Sequence, residues 1–337
     1  MHKDLEEILV SVSIITYNQK NFIREAIDSV LMQEVNFKYE IIIGDDCSSD
    51  GTQEILKLYE ARYPAIIHLI LHPRRYGDIP GRTNNITNIY ACRGKYIALL
   101  DGDDFWITKD KLQRQVDFLE ANPNCSIFGH QAKIVEADGK MTSIVKTHNE
   151  DIFADASLKI EDIIQTPYAF IATSTYMFRN NIINEFPEWF WKIISADYAL
   201  MLLLTQKGYL KFSKDLFTGY RNHGDSFMIN HFFTAENLEI KVNELRLYRK
   251  EFTPYFPNKK ILKNLKMSRE IQRRITEVKY FHLTKLFYQK KYYFFLKNTS
   301  AYFLTDFSLI FFPKLIYSSL LKPRLDNKYA LFRSLLK

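Results

Sequence analysis

Three carboxylates, Asp101, Asp103 and Asp104, end the apolar run in GKYIALLDGDDFW, Gly94 to Trp106. Acidic residues spaced D-x-D after a buried strand can converge on one hard divalent cation, which in turn can hold a phosphate group. The other reading is a polar turn at a strand end, where Asp and Gly are common. The rest of the chain decides which reading has company.

The elements around the acidic run alternate. VSVSIITYN, Val10 to Asn18, is a β-branched run that predicts a buried strand. Ile23, Ala26, Ile27, Val30 and Leu31 recur at helical spacing. YEIIIGDDCSSDGT repeats the pattern of apolar strand and acidic loop, a second helix runs from Thr52 to Tyr59, and further strands are predicted at Ile66–Leu71 and Tyr96–Leu100. Strands alternating with helices imply an α/β fold with a mainly parallel sheet, whose ligands sit beyond the carboxyl ends of the strands. Thr16, Asn18, Asp45, Asp46, Asp101 and Asp103 all fall at such ends. Loop capping, with Ser48 or Ser49 at the next helix, accounts for some of these residues. It does not call for paired carboxylates at two strand ends, which repel unless a cation or donor groups intervene.

The segments VSIITYNQKNFIREAIDSVLMQ, IIIGDDCSSDGT and GKYIALLDGDDFW, followed by KLQRQVDFLEANP, resemble glycosyltransferase family two, whose members have the GT-A fold. Downstream, ADYALMLLLTQKGYLKFSKDLFTGYRNHGDS is similar to the acceptor-side signature of its bacterial polysaccharide branch, so the likeness covers roughly residues 8 to 230. The resemblance implies a Rossmann-like catalytic domain over residues 1–235 and an inverting transfer of a sugar from a nucleoside diphosphate donor, UDP above all, to a hydroxyl. It implies that Thr16 and Asn18 flank the nucleotide base and that Asp45, with Asp46 beside it, binds the base or ribose. Asp101 is then placed at the ribose or a metal-bound water, and Asp103 on Mn²⁺ or Mg²⁺. Asp104 is a second ligand or an orienter of the first. Spacing does not say which carboxylate touches the metal.

Inversion needs a base that takes the acceptor's proton on the face opposite the departing phosphate. Asp197, in SADYALMLLL, matches the family's base position, although Ala196 stands where many relatives have Glu. The alternative is a helix capped by Ser195 with Asp197 as a first-turn dipole partner. Arg221 and His223 in YRNHGDS correspond to residues near the diphosphate, and His223 could also complete a metal shell. Arg82, in GRTNN, is a further candidate on the donor side, and Lys95 is expected on a solvated strand edge. TSTYMFR, Thr173 to Arg179, is similar to the strand leading to the acceptor pocket. Trp189 and Trp191 in EFPEWFW offer aromatic faces for a sugar ring or, equally, for core packing.

The 337 residues exceed one typical domain. Cys47, Cys92 and Cys125 are too few and scattered for a disulfide framework, and the charged N-terminus does not look like a signal peptide, so a cytoplasmic setting is expected. From Lys259 to Lys337 there are 18 Lys and Arg against 4 Asp and Glu, a net +14 in a chain of +7. Residues 236–337 are therefore expected to form a basic, aromatic, mostly helical extension. It is suited to peripheral contact with an anionic membrane surface on the cytoplasmic side, or to packing on the catalytic domain. Asp306, Pro313 and Lys314 argue against insertion of Ala301 to Leu321. The tail also fits a lipid-linked glycan acceptor. Nucleic acid is not expected, because no RNA or DNA module accompanies the charge. Two other classes remain: a nucleotidyltransferase, against which ITYNQKNF has no glycine for a phosphate loop, and a silent sugar-binding protein, against which Asp103 and Asp197 are intact.

Overall fold

The computed structural model describes residues 7–77, 79, 81–136, 139–145, 156–163, 171–193, 195–223, 244, 247, 250 and 251. The chain divides into two compact units, Met1–Asn230 and His231–Lys337. The basic, aromatic tail from Lys259, with the membrane contact expected of it, lies outside the described residues, as do Gly224 to Ser226 of the YRNHGDS loop. Among the described residues, no helix is long and apolar enough to cross a membrane.

The first unit is built on one sheet. Strands β1 (Val10–Thr16), β2 (Tyr39–Asp45), β3 (Ile67–Leu71) and β4 (Tyr96–Asp101) are parallel, in the order β3-β2-β1-β4. Val10, Val12, Ile14, Ile41, Ile43, Tyr96, Ala98 and Leu100 are buried to within 1% of full exclusion, as strands covered on both faces must be. Helices α1 (Ile23–Leu31), α2 (Thr52–Arg62) and α3 (Arg82–Ala91) provide the crossovers. Because the order runs outward from β1 to β2 and β3 but returns to β4 on β1's other side, the chain changes direction between β1 and β4. A crevice opens at such a reversal.

The second half of the sheet is mixed. After β5 (Phe105–Trp106) and α4 (Lys111–Ala121) come β6 (Cys125–Glu136), β7 (Met141–Ile144), β8 (Ser157–Leu158), α5 (Ile160–Ile163), β9 (Met177–Arg179), α6 (Ala196–Thr205) and β10 (Tyr209–Asn222). β9 joins the halves by pairing antiparallel with both β4 and β6, while β10 runs parallel to β6 and antiparallel to β5 and β8.

Helix α3 is seated through polar groups. The Asn88 amide donates to the carbonyls of Ile14 (2.8 Å) and Ile42 (3.2 Å), and the Asn84 amide donates to that of Gly44 (2.8 Å). A Cβ at Gly44 would lie 2.1 Å from Asn84 Oδ1, so only glycine lets the helix approach β2 this closely. Helix α2 starts at Gly51, whose φ of 103° is left-handed, and Asp50 Oδ1 accepts the Thr52 N–H (3.0 Å). Asp50, and not Ser48 or Ser49, therefore supplies the carboxylate at that helix start. Lys95 pairs with Glu120 at 2.6 Å on an exposed edge.

Candidate active site

Register brings the acidic loops together. Thr16 pairs with Asp45 and Ile15 with Asp101, so the carboxyl ends of β1, β2 and β4 are level on one rim. The ladder continues past them, since Asp46 N–H donates to Thr16 O (3.0 Å) and Gly102 N–H to Ile15 O (2.9 Å). Gly102 is also forced by crowding, because a Cβ there would meet Gln19 Oε1 at 2.4 Å and Thr16 Cβ at 2.9 Å.

On the β1–β2 side, Asp45 is fully buried. Its Oδ1 accepts Gln53 Nε2–H (2.6 Å) and the Ser48 N–H (2.9 Å), whereas Oδ2 has no hydrogen-bond partner. Thr16 Oγ1 and His72 Nε2, both buried, are likewise unpartnered. A buried acceptor left open costs free energy unless a ligand fills it. Asn18 and Asp46 have scaffold duties. Asn18, with a left-handed φ of 51°, clamps two loops together: its N–H donates to Ser48 Oγ (2.8 Å) and its Oδ1 accepts the Ser49 N–H (2.9 Å). Asp46 accepts from Arg75 Nε (3.1 Å) and Gly81 N–H (3.3 Å), and the Arg75 guanidinium lies 3.9 Å from the Tyr17 ring centroid.

On the β4 side, the three carboxylates separate by role. Asp104 is buried with both oxygens engaged, Oδ1 by the Arg221 N–H (2.8 Å) and Oδ2 by the Ser174 hydroxyl (2.6 Å). Asp103 is partly open, and its Oδ2 lies 2.9 Å from His223 Nε2. Asp101 takes the Ser174 hydroxyl through its own N–H (3.1 Å), with Oδ2 3.4 Å from the same oxygen. Burial, then the charges of Asp103 and Asp197, push the Asp101 carboxyl up to about 7. Burial, then Asp103 and Asp101, also hold Asp104 well above the usual carboxylate range. The loop thus concentrates negative charge that a cation would relieve.

Asp103 offers the carboxylate oxygen that Mn²⁺ and Mg²⁺ both take, beside positions for water and phosphate oxygens, and the His223 imidazole suits Mn²⁺ better than the harder Mg²⁺. Among the described residues, no cluster of three or more His, Cys, Asp and Glu side chains closes a metal shell by itself.

Arg221 is held closely by its protein neighbours. Only 6% of its side chain is exposed; Nε donates to Asp103 O (2.8 Å), Nη2 meets Glu25 (2.6 Å), and Phe22 and Phe105 flank the guanidinium at 4.7 and 5.2 Å. It thereby ties the acidic loop 101–104 to α1. Arg82 is buried: its Nη2 donates to Ile193 O (2.6 Å) and its guanidinium lies 4.6 Å from the Phe190 ring. From there its charge reaches Asp197.

Asp197 lies in the first turn of α6, half-buried. Ser195 occupies the N-cap position, but its side chain makes no capping bond. Burial holds the Asp197 carboxyl above its usual value, with Arg82 pulling the other way. Because Asp197 raises both Asp101 and Tyr176 in turn, it stands within electrostatic reach of the acidic loop, from a helix remote in sequence. In EWFWK it is Phe190 that enters the core, against Phe186 at 4.6 Å, while Trp191 is 42% exposed and Trp189 is half-buried edge-on to Phe190. Sequence reasoning missed Ser174, Glu25 and His72. Ser174 lies inside TSTYMFR, but nothing in that pattern marks its hydroxyl for the aspartates.

The family model for Glycosyl transferase family 2 matches residues 11–185. The Escherichia coli UDP-Glc:alpha-D-GlcNAc-diphosphoundecaprenol beta-1,3-glucosyltransferase WfaP is 32% identical over 228 residues, 66% of this chain and 81% of its own length. An uncharacterized protein of Mycobacterium tuberculosis is 36% identical over 159 residues, 47% of this chain; the chain spans only 45% of that relative's length. Among solved structures, S. aureus TarS 1-349 in complex with UDP-GlcNAc aligns with a TM-score of 0.57 at 17% identity, covering 82% of this chain and 73% of TarS, a likeness of fold. With the family model spanning more than half of its residues and WfaP aligned along most of its length, the chain belongs to glycosyl transferase family 2.

Proposed function

We propose that the protein is an inverting glycosyltransferase that moves a sugar from a uridine diphosphate donor to a hydroxyl of a lipid-linked glycan, in bacterial surface polysaccharide assembly. The observation that supports this reading is the parallel register that brings the Asp45 and Asp101 strand ends to within one residue of level, with the charge of Asp197 felt at Asp101.

The open Asp45 Oδ2 suits a nucleobase ring N–H, which uracil and guanine offer, and WfaP's name specifies UDP-glucose. Thr16 and His72 offer further polar atoms beside it. Asp103 and His223 are the residues to hold Mn²⁺ or Mg²⁺, and a bound divalent cation supplies charge neutralisation to the departing diphosphate. Asp197 takes the proton of the acceptor hydroxyl as that oxygen bonds to the anomeric carbon. The anomeric C–O bond to phosphate breaks, and its electron pair leaves with UDP. The raised carboxyl of Asp197 makes it a stronger base than an exposed aspartate. Trp189 and the exposed Trp191 offer aromatic faces that suit an acceptor sugar ring. Residues 1–235 are assigned to catalysis and 236–337 to a helical extension whose +14 tail meets an anionic membrane surface.

Mass spectrometry after incubation with a panel of nucleotide sugars and a lipid-linked acceptor tests the reading. A product one sugar heavier, formed from a UDP sugar, is expected; no transfer and no donor hydrolysis from any donor would overturn it.

A further inference from the structure

The turn Thr173–Thr175 carries a hydroxyl at a junction that the proposed reaction does not use. Ser174 is fully buried. A serine hydroxyl has one proton and two lone pairs, so it can satisfy one acceptor and also accept. Here it accepts the Asp101 N–H at 3.1 Å and donates to Asp104 Oδ2 at 2.6 Å, the nearer of the two carboxylates. The turn is fixed from its other side, because Ser174 O accepts Trp106 Nε1–H (3.0 Å) and Thr175 O accepts Gln115 Nε2–H (3.0 Å). Asp104 passes the constraint on by accepting the Arg221 N–H, and Arg221 Nε returns to Asp103 O. Hydroxyl, carboxylate and guanidinium therefore tie down the loop 101–104, while the Asp103 carboxylate meets His223.

We propose that Ser174 is a positioning residue of the donor site: by fixing Asp101 at its main chain and Asp104 at its side chain, it holds the loop in the shape that presents Asp103 to the cation. The inference rests on the transferase reading above. Removing the hydroxyl leaves a buried carboxylate oxygen and a buried N–H each short of a partner, and the loop relaxes to recover them. Groups that orient a metal ligand in this way alter metal affinity by roughly 10–100-fold when removed.

Isothermal titration of the full chain with UDP, at a series of Mn²⁺ concentrations and without metal, tests it. Ser174→Ala should raise the half-saturating Mn²⁺ by about 10-fold or more while changing metal-free UDP affinity by less than about 3-fold. Thr175→Ala, which cuts a different bond in the same turn, Thr175 Oγ1 to Ala172 O (2.7 Å), should leave the Mn²⁺ requirement within about 3-fold of the parent, since it lacks this link to the metal loop. Asp104→Asn and Ser174→Ala combined should do less harm than the product of the two, because both cut one bond. If Ser174→Ala does not fold, Ser174→Cys, a weak donor of similar shape, is used in its place with the same expected direction. A parental Mn²⁺ requirement in the serine variant, or an equal loss in Thr175→Ala, overturns the inference and leaves the transferase reading standing. A parent protein that binds no UDP with Mn²⁺ overturns both.

Discussion

Replacing Gly44 with alanine adds one methyl group where the fold has no room. The new Cβ would lie 2.1 Å from Asn84 Oδ1 and 2.5 Å from Asn88 Oδ1, far inside any real contact. Helix α3 must then lift, or both amides must turn away from the carbonyls of Gly44, Ile14 and Ile42. Overpacking of this kind costs about 1–3 kcal/mol. Two or three buried hydrogen bonds lost or lengthened add about 1 kcal/mol each. The sum is about 3–6 kcal/mol, a large share of the roughly 5–15 kcal/mol of a typical domain. At about 2–4 °C per kcal/mol for a unit of this size, thermal unfolding should come about 6–24 °C earlier. UDP affinity should fall as well, because Gly44 precedes Asp45 in β2. Differential scanning fluorimetry reads the first effect and titration with UDP the second. Asn84→Ala in the same molecule removes the nearer obstacle and should restore part of the loss. A Gly44→Ala protein that melts within 2 °C of the parent would refute the argument, since the close approach of α3 to β2 would then be dispensable.

Asp197→Asn should keep UDP affinity and lower transfer by about 10²–10⁴-fold, the range of general-base loss; a parental rate would remove the base assignment. Because burial holds the Asp197 carboxyl high and only its ionised form takes a proton, transfer should fall as pH drops, with a midpoint above the ordinary value of about 4. A kcat/KM profile flat to below that pH would contradict this. Chelation with EDTA should abolish transfer, and Mn²⁺ or Mg²⁺ should restore it; full activity in excess chelator would exclude a metal at Asp103 and His223. Stability has its own pH signature. Burial, then the charge of Lys111, holds the His130 ring well below its usual range, so below about pH 6.5 the unfolded chain binds a proton that the folded one refuses. Stability should therefore decline as pH falls from that point, and His130→Leu should flatten the decline in urea titrations at stepped pH.

The parallel half of the fold was legible because its signals are local. Runs such as VSVSIIT and YEIIIGD are rich in β-branched apolar residues, as strands buried on both faces are, and the acidic residues that follow them gave the rim. The period of Ile23, Ala26, Ile27 and Val30 gave α1 its buried face. The mixed half depends on pairing between residues far apart: β10 lies beside β6 with shifts in register near Ser213 and Leu216 that no local pattern announces. The same distance hid the site's supports. The resemblance puts Arg221 near the diphosphate, but nothing local announces that Glu25, 196 residues away, and two aromatic rings hold its guanidinium. Asp104 read as a metal ligand or an orienter, and only the Ser174 and Arg221 contacts show both its oxygens engaged.

The account stands on three acidic stretches sharing one ligand, and anomalous diffraction from crystals grown with UDP and Mn²⁺ addresses that most directly. A manganese peak within bonding distance of Asp103, with the uracil ring against Asp45 Oδ2 and the diphosphate pointing toward Asp197, is the predicted result. Manganese bound away from Asp103, or UDP seated off the rim formed by β1, β2 and β4, would contradict it.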